Sequence, residues 1–196
     1  GMFRFPTDDE GKRKVAGVVF AQYIKTDIDY THLIRFDAGN TLALHSRIGI
    51  AYAYGNSNII PYEKRYFSGG ANSVRGWGVR ELGPGRFRGR DGHIDFINQT
   101  GDVRIDLNAE LRSDLFWKFQ GAVFIDAGNI WNIRKSSDQP SGQLTLRGLY
   151  EDLAVAYGVG LRLNFDYFIL RLDLGMKAIN PVYTTYKEHF PIAYPK

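Results

Sequence analysis

Apolar and polar residues alternate over several long segments of this chain. In VRIDLNAELR (103–112), Val, Ile, Leu and Ala occupy every second position, and Arg, Asp, Asn and Glu occupy the positions between them. A period of two places these two sets on opposite faces of a β-strand. The same alternation occurs in the second half of 18–36 and in 41–54, 118–128, 153–165 and 168–177. No segment has helical periodicity, so the sequence predicts an all-β, antiparallel fold.

The connections between these segments alternate in length. The links at 37–40, 114–117 and 166–167 are short, whereas those at 55–102, at 128–152 and after Ala178 are long and polar. In an up-and-down meander, alternate connections lie at the same end of the sheet, and tight turns opposite long loops are typical of outer-membrane barrels. Segments of about ten residues also suit a tilted crossing of the hydrocarbon layer. The sequence therefore predicts a meander of long strands that forms a partial transmembrane β-barrel.

The number of strands limits this interpretation. We predict about six strands, whereas closed membrane barrels have at least about eight. The chain is therefore expected to be a fragment of a barrel, and the two open edges of such a fragment favour self-association of an isolated piece. Residues 1–13, which begin with a Gly before a Met, are expected to be an expression-tag remnant and a lead-in.

A soluble β-sandwich binding module is an alternative, because its strands also alternate and either face can be its core. Here one face is almost free of charge and the other mixes small residues with charges of both signs, as a wet barrel lumen or a water-exposed surface would. Aromatic residues at predicted strand ends fit a membrane girdle or ordinary hairpin ends; they are Tyr52, Tyr54, Phe116, Trp117, Trp131, Phe165, Tyr167 and Phe168. The sandwich predicts solubility without detergent.

Composition argues against several classes of protein. No apolar run approaches the roughly 18 residues of a membrane-spanning helix, and the chain has no Cys for disulfides or Cys-type metal sites. The net charge of +4 is mild and both signs are interspersed, which argues against nucleic-acid binding. The His residues are scattered without ligand spacing, and no Ser/His/Asp set is recognisable. We therefore expect no metal, no cofactor and no enzyme activity.

One insert, RYFSGGANSVRGWGVRELGPG (65–85), fits neither a plain strand nor a simple turn. It contains a Gly-Gly pair, a Ser and then an Arg-Gly-aromatic triplet, at Gly69, Gly70, Ser73, Arg75, Gly76 and Trp77. Further along, FIDAGNIW (124–131) has Phe, Asp and Gly at alternate positions. Together these features resemble the sixth-loop signature and the Phe-x-Asp-x-Gly strand element of the bacterial surface-antigen (BamA–TamA) superfamily of outer-membrane barrels. The resemblance identifies residues 14–196 as the C-terminal portion of such a barrel.

The resemblance also implies a functional site. In the family, the long loop folds into the barrel, and its Arg bonds to carboxylates of the lumen. Carried over to this chain, the loop at 55–102 enters the lumen and Arg75 meets Asp126 and Glu110, which the alternation places on the polar face. A guanidinium suits this role because its planar fork can bond carboxylates bidentately. The expected lock comprises Gly69, Gly70, Ser73, Arg75, Gly76, Trp77, Glu110, Phe124, Asp126 and Gly128.

The function implied by the resemblance is insertion or export of other proteins at the outer membrane of a Gram-negative bacterium. The expected partners are the lipid bilayer, unfolded client proteins and accessory assembly proteins. Some family members are fused to hydrolase domains, so the barrel portion of an outer-membrane hydrolase is an alternative. Glu110 and Asp126 could instead form a glycosidase acid–base pair, although an Arg between them would keep both ionised and oppose a general-acid role.

Overall fold

The computed structural model describes residues 11–16, 18–89, 93, 97–165, 167–183 and 185–192. Most of the expected lead-in over residues 1–13 lies outside these ranges. The strands are β1 (Lys14–Val15), β2 (Val18–Val19), β3 (Gln22–Arg35), β4 (Asn40–Tyr54), β5 (Val103–Asp114), β6 (Phe119–Trp131), β7 (Ala154–Asn164) and β8 (Ile169–Ile179). A 3-10 turn covers Tyr62–Lys64, and two short helices are α1 (Gly148–Glu151) and α2 (Tyr186–His189).

Strands β3 to β8 form one six-stranded antiparallel sheet in chain order. Each strand pairs with its neighbours in sequence, so the sheet is an up-and-down meander. These strands have 11 to 15 residues and pair along most of their length, with Ala43 opposite Glu110 and Asn108 opposite Asp126. The predicted all-β meander of long strands is therefore confirmed, with strand ends shifted by a few residues.

Tight turns join β3 to β4, β5 to β6 and β7 to β8 at one end of the sheet. In the first turn, Asp37 Oδ1 accepts hydrogen bonds from the backbone N–H groups of Gly39 and Asn40, each at 2.8 Å. This local bonding is the Asx-turn geometry that Asp favours at chain reversals. The long connections 55–102 and 132–153 leave from the opposite end of the sheet.

The sheet buries its polar face and exposes its apolar face. We define the inner face as the one that carries the loop 55–102; its Asp106 and Asp126 are both 0% exposed. On the opposite, outer face, Ile125 of β6 and Leu174 of β8 are 59% and 64% exposed. A soluble sandwich would bury its apolar face. The observed arrangement is instead that of a barrel wall whose outer face contacts lipid.

Exposed aromatic side chains cluster at the end with the tight turns. The ring centroids of Trp117 and Phe165 are 6.2 Å apart, and those of Phe165 and Phe168 are 4.8 Å apart. Trp117 and Phe168 are 74% and 61% exposed, as expected of residues at a membrane–water interface. Trp131 differs from the other predicted strand-end aromatics, because it ends β6 but is fully buried.

The apolar core lies between the loop 55–102 and the inner face. Its two clusters join loop residues to strand residues: Ile60 and Tyr66 with Ala51, Ala53 and Ile130, and Val74, Trp77 and Leu82 with Ala154 and Ala156. The strands contribute mainly small side chains to this core, so the loop can approach the sheet closely. Among the described residues, no helix is long and apolar enough to cross a membrane.

The substitution Ile125→Lys tests which medium the outer face contacts. A lysine near the middle of a lipid-facing strand is expected to lower the free energy of unfolding by about 2–4 kcal/mol. Urea unfolding of the full-length protein in lipid vesicles measures this change, and Ile125→Val, which keeps the position apolar, is the control. On a water-exposed face the lysine would change stability by no more than about 0.5 kcal/mol, and that result would contradict the lipid-facing assignment.

Candidate functional site

The insert 65–85 folds into a compact turn on the inner face. Gly69 and Gly70 have φ of +96° and +91°, a region that side chains with a Cβ rarely adopt. The Gly70 N–H donates to the Trp77 carbonyl at 2.8 Å, and this bond closes the turn. Ser73 Oγ accepts a hydrogen bond from the Gly69 N–H at 3.2 Å and donates to Asp106 Oδ1 at 2.8 Å. The turn is thereby tied to β5.

Arg75, at the tip of this turn, bonds to two strands. Its Nε and Nη2 donate to the two oxygens of Asp126 at 2.7 and 2.8 Å, and its backbone N–H donates to the same carboxylate at 3.1 Å. Its Nη1 donates to Glu110 Oε2 at 2.5 Å. Desolvation alone would lower the pKa of the Arg75 guanidinium, but the hydrogen bonds to Asp126 and Glu110 raise this pKa above its ordinary value. The tip therefore carries a permanent charge.

The same carboxylates belong to a larger ion network on the inner face. Glu110 also accepts hydrogen bonds from Arg112 Nε at 2.7 Å and from Arg162 Nη2 at 2.9 Å. Arg162 Nη1 donates to Asp173 Oδ1 at 2.5 Å, and Arg171 Nε lies 3.1 Å from Asp173 Oδ2. Guanidinium groups and carboxylates alternate through this network. Each buried charge thus has a partner of the opposite sign, as buried charges require.

Phe124 and Asn108 complete the surroundings of Arg75. The guanidinium carbon lies 3.4 Å from the Phe124 ring centroid, within cation–π range. Asn108 Nδ2 donates to Asp126 Oδ1 at 2.8 Å and to the Ser73 carbonyl at 2.7 Å. Asn108 therefore bonds both to the carboxylate that holds Arg75 and to the turn that presents it.

Close packing fixes the remaining residues of the insert. Trp77 is 4% exposed and packs in the second apolar cluster. A Cβ on Gly76 would lie 2.9 Å from Ala156 Cβ, and one on Gly128 would lie 3.1 Å from Val74 Cγ2. The ten residues of the expected lock therefore all lie in one region, where loop residues 69–77 meet the inner face of β5 and β6.

Sequence reasoning did not single out several members of this network: Asn108, Arg112, Arg162, Arg171 and Asp173. Each of them occupies a polar position in the alternation, so the pattern could place each one on the inner face. It could not show which of the inner polar residues meet Arg75, because that depends on the stagger between strands. Among the described residues, no group of His, Asp and Glu side chains is arranged to hold a metal ion.

The chain matches the Omp85 superfamily domain over residues 15–192. It belongs to the Omp85 superfamily. Over 129 residues it is 29% identical to the outer membrane protein assembly factor BamA of Neisseria meningitidis serogroup B, and the match covers 61% of this chain and 15% of that protein. The predicted superfamily and the predicted outer-membrane location are confirmed.

Two solved structures are similar to this chain. BamA from Haemophilus ducreyi lacking POTRA domains 1-3 superposes with a TM-score of 0.63 at 18% identity, over 80% of this chain and 32% of that one. CdiB from Acinetobacter baumannii gives a TM-score of 0.49 at 19% identity, over 82% of this chain and 24% of that one. The present Omp85 chain therefore spans 15% of the length of the Neisseria relative and 32% of the Haemophilus structure.

The fit of the Omp85 loop against β7 can be tested with a single methyl group. Gly76→Ala is expected to lower the free energy of unfolding by about 1–3 kcal/mol, because the added Cβ overpacks against Ala156. Gly78→Ala is the matched control, since its nearest neighbour would be the flexible Glu81 carboxylate at 3.3 Å. Urea unfolding of the full-length protein measures both variants. Equal stability of the two variants would contradict the tight fit at Gly76.

Proposed function

We propose that this protein helps insert or export other proteins at the outer membrane. The main support for the proposal is the arrangement of the lipid-facing Omp85 sheet. Its inner face holds a charged loop tip, in which Arg75 is bonded to Asp126 and Glu110. Membership of the superfamily and the likeness to an assembly factor support the same function. The action is proposed to involve no chemical catalysis and no cofactor.

Backbone pairing supplies the interaction with client proteins in this proposal. An unpaired strand edge presents a row of N–H and C=O groups to which an incoming strand can pair. A barrel that opens at such an edge would offer this template to an unfolded client and guide its strands into the bilayer. Accessory assembly proteins are proposed as further partners.

Arg75 is proposed to act as a lock that keeps the loop and the inner strands in one arrangement. Its side chain is 6% exposed and donates hydrogen bonds to two carboxylates on different strands. Removing one partner of a buried ion pair costs about 3–5 kcal/mol, so the loop has one strongly preferred position. The glycosidase alternative is disfavoured by the same contacts, because a carboxylate held by several guanidinium groups is a poor proton donor.

Depletion of the full-length protein in its own bacterium tests the proposed function. We expect folded β-barrel proteins to decrease in the outer-membrane fraction, or exported proteins to decrease in the medium, because their insertion or export loses its template. Quantitative proteomics of both fractions measures this, with the depleted strain complemented by the intact gene as the control. Unchanged levels in both fractions would refute the proposal.

A charge exchange tests the lock. Arg75→Glu places a third carboxylate beside Asp126 and Glu110 and is expected to destabilise the barrel by about 3–5 kcal/mol. Adding Asp126→Arg restores an opposite-charge pair and is expected to recover part of the loss. Heat-modifiable migration of the full-length protein in SDS gels reports the folded barrel. A double variant no better folded than Arg75→Glu alone would argue against a direct pair.

A further inference from the structure

The imidazole ring of His45, on the inner face of β4, contacts both neighbouring strands. Its Nε2 lies 2.8 Å from Asp29 Oδ1 of β3, and its Nδ1 lies 3.0 Å from Asn108 Oδ1 of β5. In the sheet, His45 is directly opposite Asn108, and Asn108 is directly opposite Asp126. The ring therefore joins β3 to the row of side chains that leads to the partner of Arg75.

The orientation of the Asn108 amide is fixed by its two other partners. Its Nδ2 donates to Asp126 Oδ1 at 2.8 Å and to the Ser73 carbonyl at 2.7 Å. An ionised carboxylate and a carbonyl can only accept hydrogen bonds, so the amide nitrogen has to face them and the amide oxygen has to face His45. An amide oxygen also only accepts. His45 Nδ1 therefore carries a proton.

The other ring nitrogen of His45 also faces an acceptor. Arg47 Nε donates to Asp29 Oδ2 at 2.7 Å, and Nη2 of the same guanidinium lies 2.6 Å from that oxygen. A guanidinium at this distance favours the ionised carboxylate, which can only accept. His45 Nε2 therefore carries a proton as well. A ring with a proton on both nitrogens is the charged imidazolium form.

Charged groups of both signs face this ring. Asp29 is bonded to it and is shared with Arg47. The cavity of about 400 Å³ that His45 lines also contains one carboxylate and four guanidinium groups, those of Glu110, Arg47, Arg75, Arg112 and Arg171. Because guanidinium groups outnumber carboxylates there, the cavity can accommodate the neutral ring as well as the charged one.

Loss of one proton from the ring would break the bond to Asn108. Imidazole ordinarily changes its charge between about pH 5 and 8. A neutral ring keeps its one N–H for Asp29, because a bond to a charged acceptor is stronger than a bond to an amide. Nδ1 then turns a lone pair toward Asn108 Oδ1, and two acceptors face each other. Asn108 has to move, which weakens its bonds to Asp126 and Ser73.

We propose that His45 is a positioning residue that couples the pH of the lumen to the placement of the loop turn 69–77. At low pH the imidazolium holds the Asn108 amide in place, and this amide holds the turn. At higher pH the neutral ring releases the amide. The inference goes beyond the proposed function and does not depend on it, because it concerns the barrel itself and not its clients.

Solid-state NMR of the full-length protein in lipid vesicles, with ¹⁵N-labelled histidine, tests the charge of the ring. The signal that is missing from His45→Gln identifies His45. We expect two protonated ring nitrogens at about pH 5 and a proton on Nε2 alone at about pH 8. A neutral ring at the lower pH, or a remaining proton on Nδ1 at the higher pH, would overturn the inference.

Amide hydrogen exchange in the same vesicles, expressed as protection factors, tests the coupling to the loop. Wild-type peptides covering 69–77 are expected to lose protection about fivefold between about pH 5 and 8, because the bonds of Asn108 are weakened. His45→Gln should show no such dependence on pH. His32→Gln is the matched control and should keep the wild-type dependence, because His32 stacks on the exposed ring of Tyr30 on the outer face.

Two results of the exchange experiment would contradict the coupling. One is equal wild-type protection over 69–77 at both pH values. The other is a pH dependence of this protection that persists in His45→Gln.

Asp29→Asn is a second variant, which leaves His45 and the loop unchanged. Without the carboxylate, the ring is expected to become neutral at a lower pH, and the loss of protection over 69–77 should move to lower pH with it. If His45→Gln does not fold, the histidine signal whose transition this variant moves identifies His45. The inference fails if no histidine signal moves, or if the ring transition moves and the loss of protection does not.

Discussion

The arrangement of the inner face depends on the charge of one buried guanidinium. Taking an ion out of water costs several kcal/mol unless opposite charges and hydrogen bonds surround it. Arg75 meets this requirement with both oxygens of Asp126 and one oxygen of Glu110. Glu110 in turn requires Arg112 and Arg162, and Arg162 requires Asp173. The inner face therefore carries a connected set of ion pairs in which positive and negative side chains alternate.

The lipid-facing outer surface explains why the charges lie inside. A strand has two faces, and where one contacts hydrocarbon, polar residues remain possible only on the other. The inner face must then be covered by water or by polar protein, and the loop 55–102 supplies that cover together with two small apolar clusters. The buried apolar clusters therefore lie where the loop meets the sheet, and the largest apolar surface is the outer face of the sheet.

Strand positions and the two principal carboxylates could be predicted because they depend on local pattern. The alternation alone places Glu110 and Asp126 on one face, independently of the rest of the chain. The Arg-Gly-aromatic triplet identifies the loop, because it resembles the signature of a family. The partners of these carboxylates depend on long-range register, which alternation does not contain. Arg162 and Asp173 were missed for this reason. Trp131 looked like a strand-end aromatic, but the alternation cannot show that neighbouring loops cover it.

Strand β7 has few polar side chains on its inner face, and the loop packs closely against it. Before Arg162 its inner positions are all Gly or Ala: Ala154, Ala156, Gly158 and Gly160. A Cβ on Gly158 would lie 2.5 Å from Phe124 Cζ, the ring beneath Arg75. These small residues form a shallow trough in which the loop backbone rests between two charged strands. Sequence change at these inner positions is therefore limited by side-chain volume and not by polarity.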